Sequence, residues 1–166
     1  MIIRKETPSD IEAITQVTIA AFKTLPISNH TEQFIIHALR SAGALRLSLV
    51  AELDNQVVGH VAFSPVTISD GSEGWYGLGP VSVLPLHQKQ GIGTSLIKKG
   101  LSLLKEMGGQ GCALVGDPNY YQRFGFRHVP ELIYPGIPQE FFLVLPLTEK
   151  MPQGIVVFHQ GFGAKG

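Results

Sequence analysis

The sequence contains a single cysteine, Cys112, and its charges show no excess of either sign. One cysteine can form neither an internal disulfide framework nor a metal site built from clustered cysteines, and this favours a reducing compartment. The 13 Lys and Arg residues balance 13 Asp and Glu residues, so the chain has no net charge to attract DNA, RNA or an anionic membrane. We therefore expect no nucleic-acid partner.

Long apolar runs and metal-ligand spacings are also missing. No apolar stretch is long enough to span a bilayer, and the N-terminal stretch MIIRKETPSD turns polar before a signal peptide could form. His30, His37, His128 and His159 do not follow a metal-ligand spacing, so no metal is expected. These observations predict a cytoplasmic protein without a membrane partner.

The apolar content is high enough for a sizeable core. The chain has 166 residues, of which 44% are hydrophobic and 16% charged. That length and composition suit one globular domain, and the chain is short for two. We expect residues 1–166 to form a single domain.

Hydrophobic periodicity predicts alternating strands and helices. Helices are expected from Thr7–Pro8 to Pro26, from Thr31 to about Ala42, and over residues 92–107. Strands are expected at MIIRKE, SLVAEL, QVVGHVAFSPVTI, WYGLGPVSVLP, GCALVGD, EFFLVLPL and GIVVFH, with another beginning at GFRHV. Gly and Pro within WYGLGPVSVLP indicate a bulge. Hairpins together with crossovers predict an α/β fold with a mixed sheet.

Residues 87–93, HQKQGIG, join a predicted strand to the clearest predicted helix. The start of a helix leaves backbone N–H groups unpaired and partly positive, and glycines there let a phosphate approach closely. The N–H donors would come from Gln88, Lys89, Gln90, Gly91, Ile92 and Gly93. Lys89 would add a charge, and Thr94 a hydroxyl.

A tight turn without a ligand, or a different kind of phosphate loop, would also place glycines at this junction. A pair of glycines alone is more often a tight turn than a ligand site. The Walker phosphate loop needs Gly-Lys-Ser/Thr, which is absent, and the dinucleotide fingerprint needs a third glycine where Leu96 stands.

Two segments resemble the GNAT acetyltransferases. Gln88-x-x-Gly91-x-Gly93 is similar to the Q/R-x-x-G-x-G/A signature of that family, and YYQRFGF (residues 120–126) resembles its aromatic-Tyr-x-x-x-Gly-Phe segment. The order of elements agrees from Met1 to about Phe142. The GDPNYYQRFGF form and the stretch PQGIVVFHQGFGA resemble an uncharacterised bacterial branch of the superfamily, which implies no particular substrate.

The resemblance implies a GNAT fold and an acetyl-coenzyme A-dependent N-acetyltransferase. The amides of residues 88–93 would hold the coenzyme pyrophosphate, and Tyr121, four residues before Gly125, would be the general acid for the coenzyme sulfur. Val81 and Val83 match the strand whose backbone meets the pantetheine arm and the acetyl carbonyl. Asn119 would lie beside that arm, although a turn after Asp117-Pro118 also explains it. Arg123 would reach the coenzyme phosphates or face solvent.

Tyr120 is expected to be a packing residue, and His87 to frame the loop. The sequence does not identify a single general base: WYGLGPVSV has no carboxylate, and Glu73, His60 and Asp117 are candidates. A water chain, or an amine that arrives neutral, would serve as well.

The acceptor is predicted only as a primary amine of a small molecule or a protein, and its pocket is expected between the first two helices, the loop 69–74 and the C-terminal region. Aromatic residues in these parts, such as Phe22 and Trp75, suggest an acceptor with an apolar portion. A coenzyme A-binding regulatory or interaction domain with weak catalysis is the alternative function. The segment GIVVFH, as an exposed edge, could pair two copies into a homodimer.

Overall fold

The chain folds into eight strands and four helices. The computed structural model describes all residues from Met1 to Gly166. The helices are α1 (Ile11–Phe22), α2 (Glu32–Ser41), α3 (Ile92–Glu106) and α4 (Pro118–Tyr121). The strands are β1 (Ile2–Lys5), β2 (Leu47–Leu53), β3 (Gln56–Ile68), β4 (Trp75–Val83), β5 (Gly111–Val115), β6 (Leu132–Ile133), β7 (Phe142–Pro146) and β8 (Gly154–Phe158).

The sheet is mixed, and its central strands run in the order β1-β2-β3-β4-β5-β7. Strand β5 runs parallel to β4, and the other pairs along this path are antiparallel. The parallel pair needs a long crossover, which α3 supplies between β4 and β5. The predicted α/β fold with a mixed sheet is thus confirmed.

Helices cover both faces of this sheet. Successive strand residues point to opposite faces, and Leu49 and Val50 of β2 show the division. Leu49 belongs to the cluster that contains Leu96 and Ile97 of α3. Val50 packs with residues of α1 and α2, including Ile14 and Ile36. The two helical layers follow from this alternation.

The chain becomes helical at Pro8, as predicted, but residues 8–10 form a 3-10 turn and α1 itself begins at Ile11. The backbone N–H of Thr7 donates to the Asp10 carboxylate at 2.7 Å, and Arg4 binds the same carboxylate at 2.7 and 3.0 Å. The helix then ends at Phe22 rather than at Pro26. Residues 23–31 connect the end of α1 to the start of α2.

One strand prediction was wrong. GFRHV does not begin a strand, because Arg127 forms only an isolated bridge with Val144. GIVVFH does form a strand, β8, in which residues 154–155 pair with β6 and residues 156–158 pair with the end of β3. The homodimer through this segment stays a prediction.

Strand β4 parts from β5 partway along its length. Their pairing covers only Trp75↔Gly111, Tyr76↔Cys112 and Gly77↔Ala113. On its other edge, Val81 faces Val61 and Leu78 faces Phe63, so Gly79 and Pro80 stand opposite Ala62 alone. The predicted bulge is confirmed, and beyond Gly77 a gap opens between β4 and β5.

None of the helices has both the length and the apolar composition needed to cross a membrane.

Candidate active site

The junction between β4 and α3 presents a row of free backbone donors. Gly91 is the residue before the helix and has a left-handed φ of 84°, and Lys89 has a φ of 63°. The N–H groups of residues 89–94 donate to no protein acceptor, and the first helical bond runs from Ser95 to the Gly91 carbonyl. Unpaired donors at the positive end of a helix favour an anion.

A pocket of about 430 Å³ lies at this junction. Its lining residues come from the end of β4, the junction, the start of α3 and the segment after β5: Val83, His87, Gln88, Lys89, Gly91, Ile92, Gly93, Thr94, Tyr120 and Arg123. Lys89 and Arg123 carry positive charge there, and no carboxylate lines the pocket. The combination suits a ligand with several negative charges.

Tyr120 connects the two motif segments. Its hydroxyl lies 3.1 Å from the hydroxyl of Thr94 in the first turn of α3. The Arg123 guanidinium lies 4.3 Å from the centre of the Tyr120 ring, and its Nε donates to the Tyr120 carbonyl at 2.9 Å. These contacts hold the basic side chain at the pocket. Tyr120 therefore does more than the packing role predicted for it.

The ring of Tyr121 packs against other aromatic rings of residues 120–126. Its ring lies 4.9 Å from that of Tyr120 and 6.0 Å from that of Phe126. Gly116, directly after β5, leaves room for this ring, because a Cβ there would lie 2.6 Å from Cε2 of Tyr121. Burial, with smaller contributions from Tyr120 and Cys112, raises the pKa of Tyr121 to about 12. The phenol therefore keeps its proton at any physiological pH.

Seven of the residues predicted for the coenzyme line the pocket, and three do not. Those that do are Val83, Gln88, Lys89, Gly91, Ile92, Gly93 and Thr94. Val81 lies further along β4, beside the gap. Gln90 is exposed outside the lining, and Asn119 is exposed with its N–H donating to the Asp117 carboxylate at 2.9 Å. Tyr121 does not line the pocket; its ring packs against that of Tyr120, which does.

The three candidates for a general base lie outside the lining of the basic pocket. Glu73 is exposed beside Trp75 at the far end of β4, in a different pocket. His60 is fully buried, and its Nε2 lies 2.7 Å from the Ser48 hydroxyl. The Asp117 carboxylate caps α4. No group of three or more His, Cys, Asp or Glu side chains is arranged to hold a metal ion.

The profile of the acetyltransferase (GNAT) family matches residues 12–126, which include the junction, the β4–β5 gap and the tyrosine segment. The chain belongs to the GNAT acetyltransferase family. Within that family it is similar to the uncharacterized N-acetyltransferase YhbS of Escherichia coli K12, with 34% identity over 98% of each chain.

Solved structures of GNAT proteins share the fold. A GNAT family acetyltransferase from Brucella melitensis, in complex with acetyl-CoA, is 51% identical, with 97% of each chain covered and a TM-score of 0.87. YhbS from E. coli, in complex with CoA, superposes with a TM-score of 0.89 over 99% of this chain and 93% of its own. The resemblance seen in the two sequence motifs is thus confirmed at the level of the family.

Proposed function

We propose that residues 1–166 form one N-acetyltransferase domain that transfers an acetyl group from acetyl-CoA to a primary amine of a small molecule or protein. The observation that carries this proposal is the basic pocket at the unpaired N–H groups, which reaches β4 at Val83, on the stretch that has no β5 partner. A ligand with a phosphate end and a long, thin arm fits that shape. The relatives from Brucella melitensis and E. coli hold acetyl-CoA and CoA, which supports the same ligand here.

The phosphate end of the ligand suits the junction residues. The N–H groups of residues 89–94 are unpaired and point outward from a helix start, where a pyrophosphate can accept them. Gly93 leaves this space open, because a Cβ there would lie 3.7 Å from the Tyr120 hydroxyl and occupy part of it. Lys89 and Arg123 neutralise the phosphate charge, and Thr94 adds a hydroxyl.

The acetyl end suits the gap beside Val81 and Val83. When bound, acetyl-CoA supplies an activated thioester. The β4 edge beyond Gly77 has no β5 partner, so its backbone groups are free to bind the arm and orient the carbonyl. Asn119 and Gln90 are exposed outside the pocket lining, and in this proposal they contact the arm and the phosphates from outside.

Tyr121 acts as the general acid in this proposal. It holds a proton on its phenolic oxygen and delivers it to the sulfur as the thiolate departs, and the proton that the amine loses restores the phenol, directly or through water. The raised pKa ensures that the proton is present beforehand.

The test is Tyr121→Phe, with Tyr76→Phe as the matched control on β4. Acetyl-CoA binding is measured by calorimetry, and turnover over a panel of amines by thiol release. We expect Tyr121→Phe to bind acetyl-CoA like the parent chain while kcat falls by roughly 10²- to 10⁴-fold, the usual contribution of a general acid. Tyr76→Phe should change neither quantity.

Two outcomes would contradict the proposal. Turnover that survives in Tyr121→Phe would remove the tyrosine from the mechanism. Tight acetyl-CoA binding without turnover on any amine would favour the coenzyme A-binding regulatory domain instead.

A further inference from the structure

A second pocket, of about 230 Å³, lies at the bulge of β4. Gly79 and Pro80 form part of its wall, together with Val115 at the end of β5. These positions border the β4–β5 gap, whereas the basic pocket reaches β4 at Val83. A molecule in this second pocket would therefore reach the gap at Gly79 and Pro80, whereas a molecule in the basic pocket would reach β4 at Val83.

Much of the remaining wall is aromatic. Phe22 comes from the end of α1, and Tyr134, Phe158 and Phe162 come from the C-terminal third of the chain. The rings of these last three form a continuous cluster, with centroids 4.9 Å apart for Tyr134 and Phe158 and 5.4 Å apart for Phe158 and Phe162. Gly77 lets Phe158 lie against β4, because a Cβ there would come within 2.8 Å of that ring. Such walls favour a flat or branched apolar group.

Glu32 is the only charged residue in the lining. It is the first residue of α2, where the helix dipole stabilises a negative charge. Both carboxylate oxygens lie within hydrogen-bond distance of the Ser28 hydroxyl, at 2.7 and 2.8 Å. No Lys, Arg or His forms an ion pair with it. Glu32 thus brings a carboxylate without a protein cation to a mostly apolar pocket.

We propose that this pocket binds the acceptor, and that the acceptor is a small primary amine on an aromatic or branched apolar group whose ammonium binds Glu32. The inference rests on the proposed function, because it assigns the acceptor of the same reaction. An aromatic wall and one unpaired carboxylate complement the two ends of such a molecule. The small volume suits a compact amine better than a drug-sized ligand.

The loop 69–74, which the sequence placed in the acceptor pocket, is not part of it. Its residues Asp70, Ser72 and Glu73 line a different pocket, beside Lys150 and Met151. The first two helices and the C-terminal region do contribute, as predicted.

The inference is tested by binding rather than by turnover. The probes are 2-phenylethylamine and its neutral counterpart 2-phenylethanol, measured by calorimetry or ligand-observed NMR on the full chain. The variants are Glu32→Gln and the control Glu106→Gln, which alters an exposed carboxylate at the end of α3. We expect Glu32→Gln to weaken amine binding by about 10- to 100-fold, as for a lost charge-assisted hydrogen bond. The alcohol should bind all three proteins alike.

Amine binding that is unchanged in Glu32→Gln would overturn the inference. So would a loss of binding by the alcohol as well, which would show that the variant alters the pocket and not the charge.

Acetylation provides outcomes that separate this inference from the proposed function. Turnover of a lysine-containing peptide, with no Glu32-dependent binding of phenylethylamine, would refute the acceptor class and leave the acetyltransferase intact. Glu32-dependent binding of phenylethylamine with no acetylation of any amine would refute the proposed function and support the pocket.

Discussion

Two glycines at the start of α3 serve different physical needs. Gly91 has a φ of 84°, a conformation that side chains with a Cβ adopt only at a cost of roughly 1–2 kcal/mol. Gly93 has ordinary helical geometry, and what it provides is space beside Tyr120 and Val83. One glycine shapes the turn that exposes the N–H groups, and the other leaves the volume that a phosphate would fill.

Gly91 and Gly108 form a matched pair for testing the turn. They flank α3, with φ values of 84° and 83°, and no atom would contact a Cβ at either position. Gly91→Ala and Gly108→Ala should therefore lower the free energy of unfolding by a similar amount, about 1–2 kcal/mol. Only Gly91→Ala should weaken acetyl-CoA binding in calorimetry, because only Gly91 adjoins the pocket. Equal coenzyme affinity in both variants would contradict the assigned role.

At the scale of elements, α3 lies unusually close to the sheet. A Cβ at Gly100 of the helix would overlap the ring of Phe63 on β3. A Cβ at Gly59 would lie only 3.0 Å from Leu96 and 3.1 Å from Ile92. These glycines bring the helix down onto β3, and the position of its first turn beside β4 follows from that contact.

Gly100→Ala is expected to destabilise the fold although alanine favours helices. The added methyl must displace the fully buried ring of Phe63, and such overpacking costs typically 1–3 kcal/mol, more than the roughly 1 kcal/mol gained in helix propensity. Urea denaturation measures the difference. Ser102→Ala, at an exposed position of the same helix, is the control and should be neutral or slightly stabilising. A Gly100→Ala chain as stable as its parent would refute the close packing.

At the scale of the whole molecule, a buried polar network ties separate parts of the chain together. Arg40 of α2 binds Glu6 at 3.0 and 3.1 Å, and the Ser48 hydroxyl of β2 donates to the same carboxylate. Since that hydroxyl has no second proton, it must accept from Nε2–H of His60 on β3. The Nδ1 of His60 has no partner. Protonation of Nδ1 would bury an N–H donor without an acceptor, which disfavours the charged imidazole.

His60 should make stability depend on pH. Burial is the main reason that its pKa falls to about 4; the charge of Glu6 opposes this fall, and the charge of Arg40 adds to it. In the unfolded chain the imidazole titrates near 6.5, so between about pH 6.5 and pH 4 only the unfolded state takes up this proton. The contribution to stability is present above pH 6.5 and is lost as pH falls through this window, by up to about 3 kcal/mol.

This pH dependence is measured against variants of two histidines. Carboxylates titrate in the same range, so the informative quantity is the difference in unfolding free energy between the parent chain and His60→Gln at each pH. That difference should shrink from pH 7 to pH 4. His128→Gln, at an exposed position, should follow the parent closely. A difference for His60→Gln that is constant with pH would show that His60 is not held neutral.

Local patterns determined much of this protein. HQKQGIG predicted a helix start with free donors, because that feature depends on the backbone preferences of neighbouring residues. YYQRFGF predicted a tyrosine near it only through its resemblance to the GNAT segment. The mixed sheet and the bulge at Gly79–Pro80 followed in the same way from periodicity and from residues that strands avoid. The single cysteine excluded an internal disulfide, and the balanced charges argued against a nucleic-acid partner, without any knowledge of the fold.

Only the tertiary structure decided which distant residues meet. Tyr120 reaches Thr94 because α3 and α4 converge at the open end of the gap, and neither segment alone indicates this contact. Glu32 shares a pocket with Pro80 and Phe158, although each comes from a different part of the chain. The sequence predicted β8 as a strand, but it did not indicate that β3 and β6 are its partners. Local sequence constrains the backbone, whereas such contacts depend on how every element packs against the others.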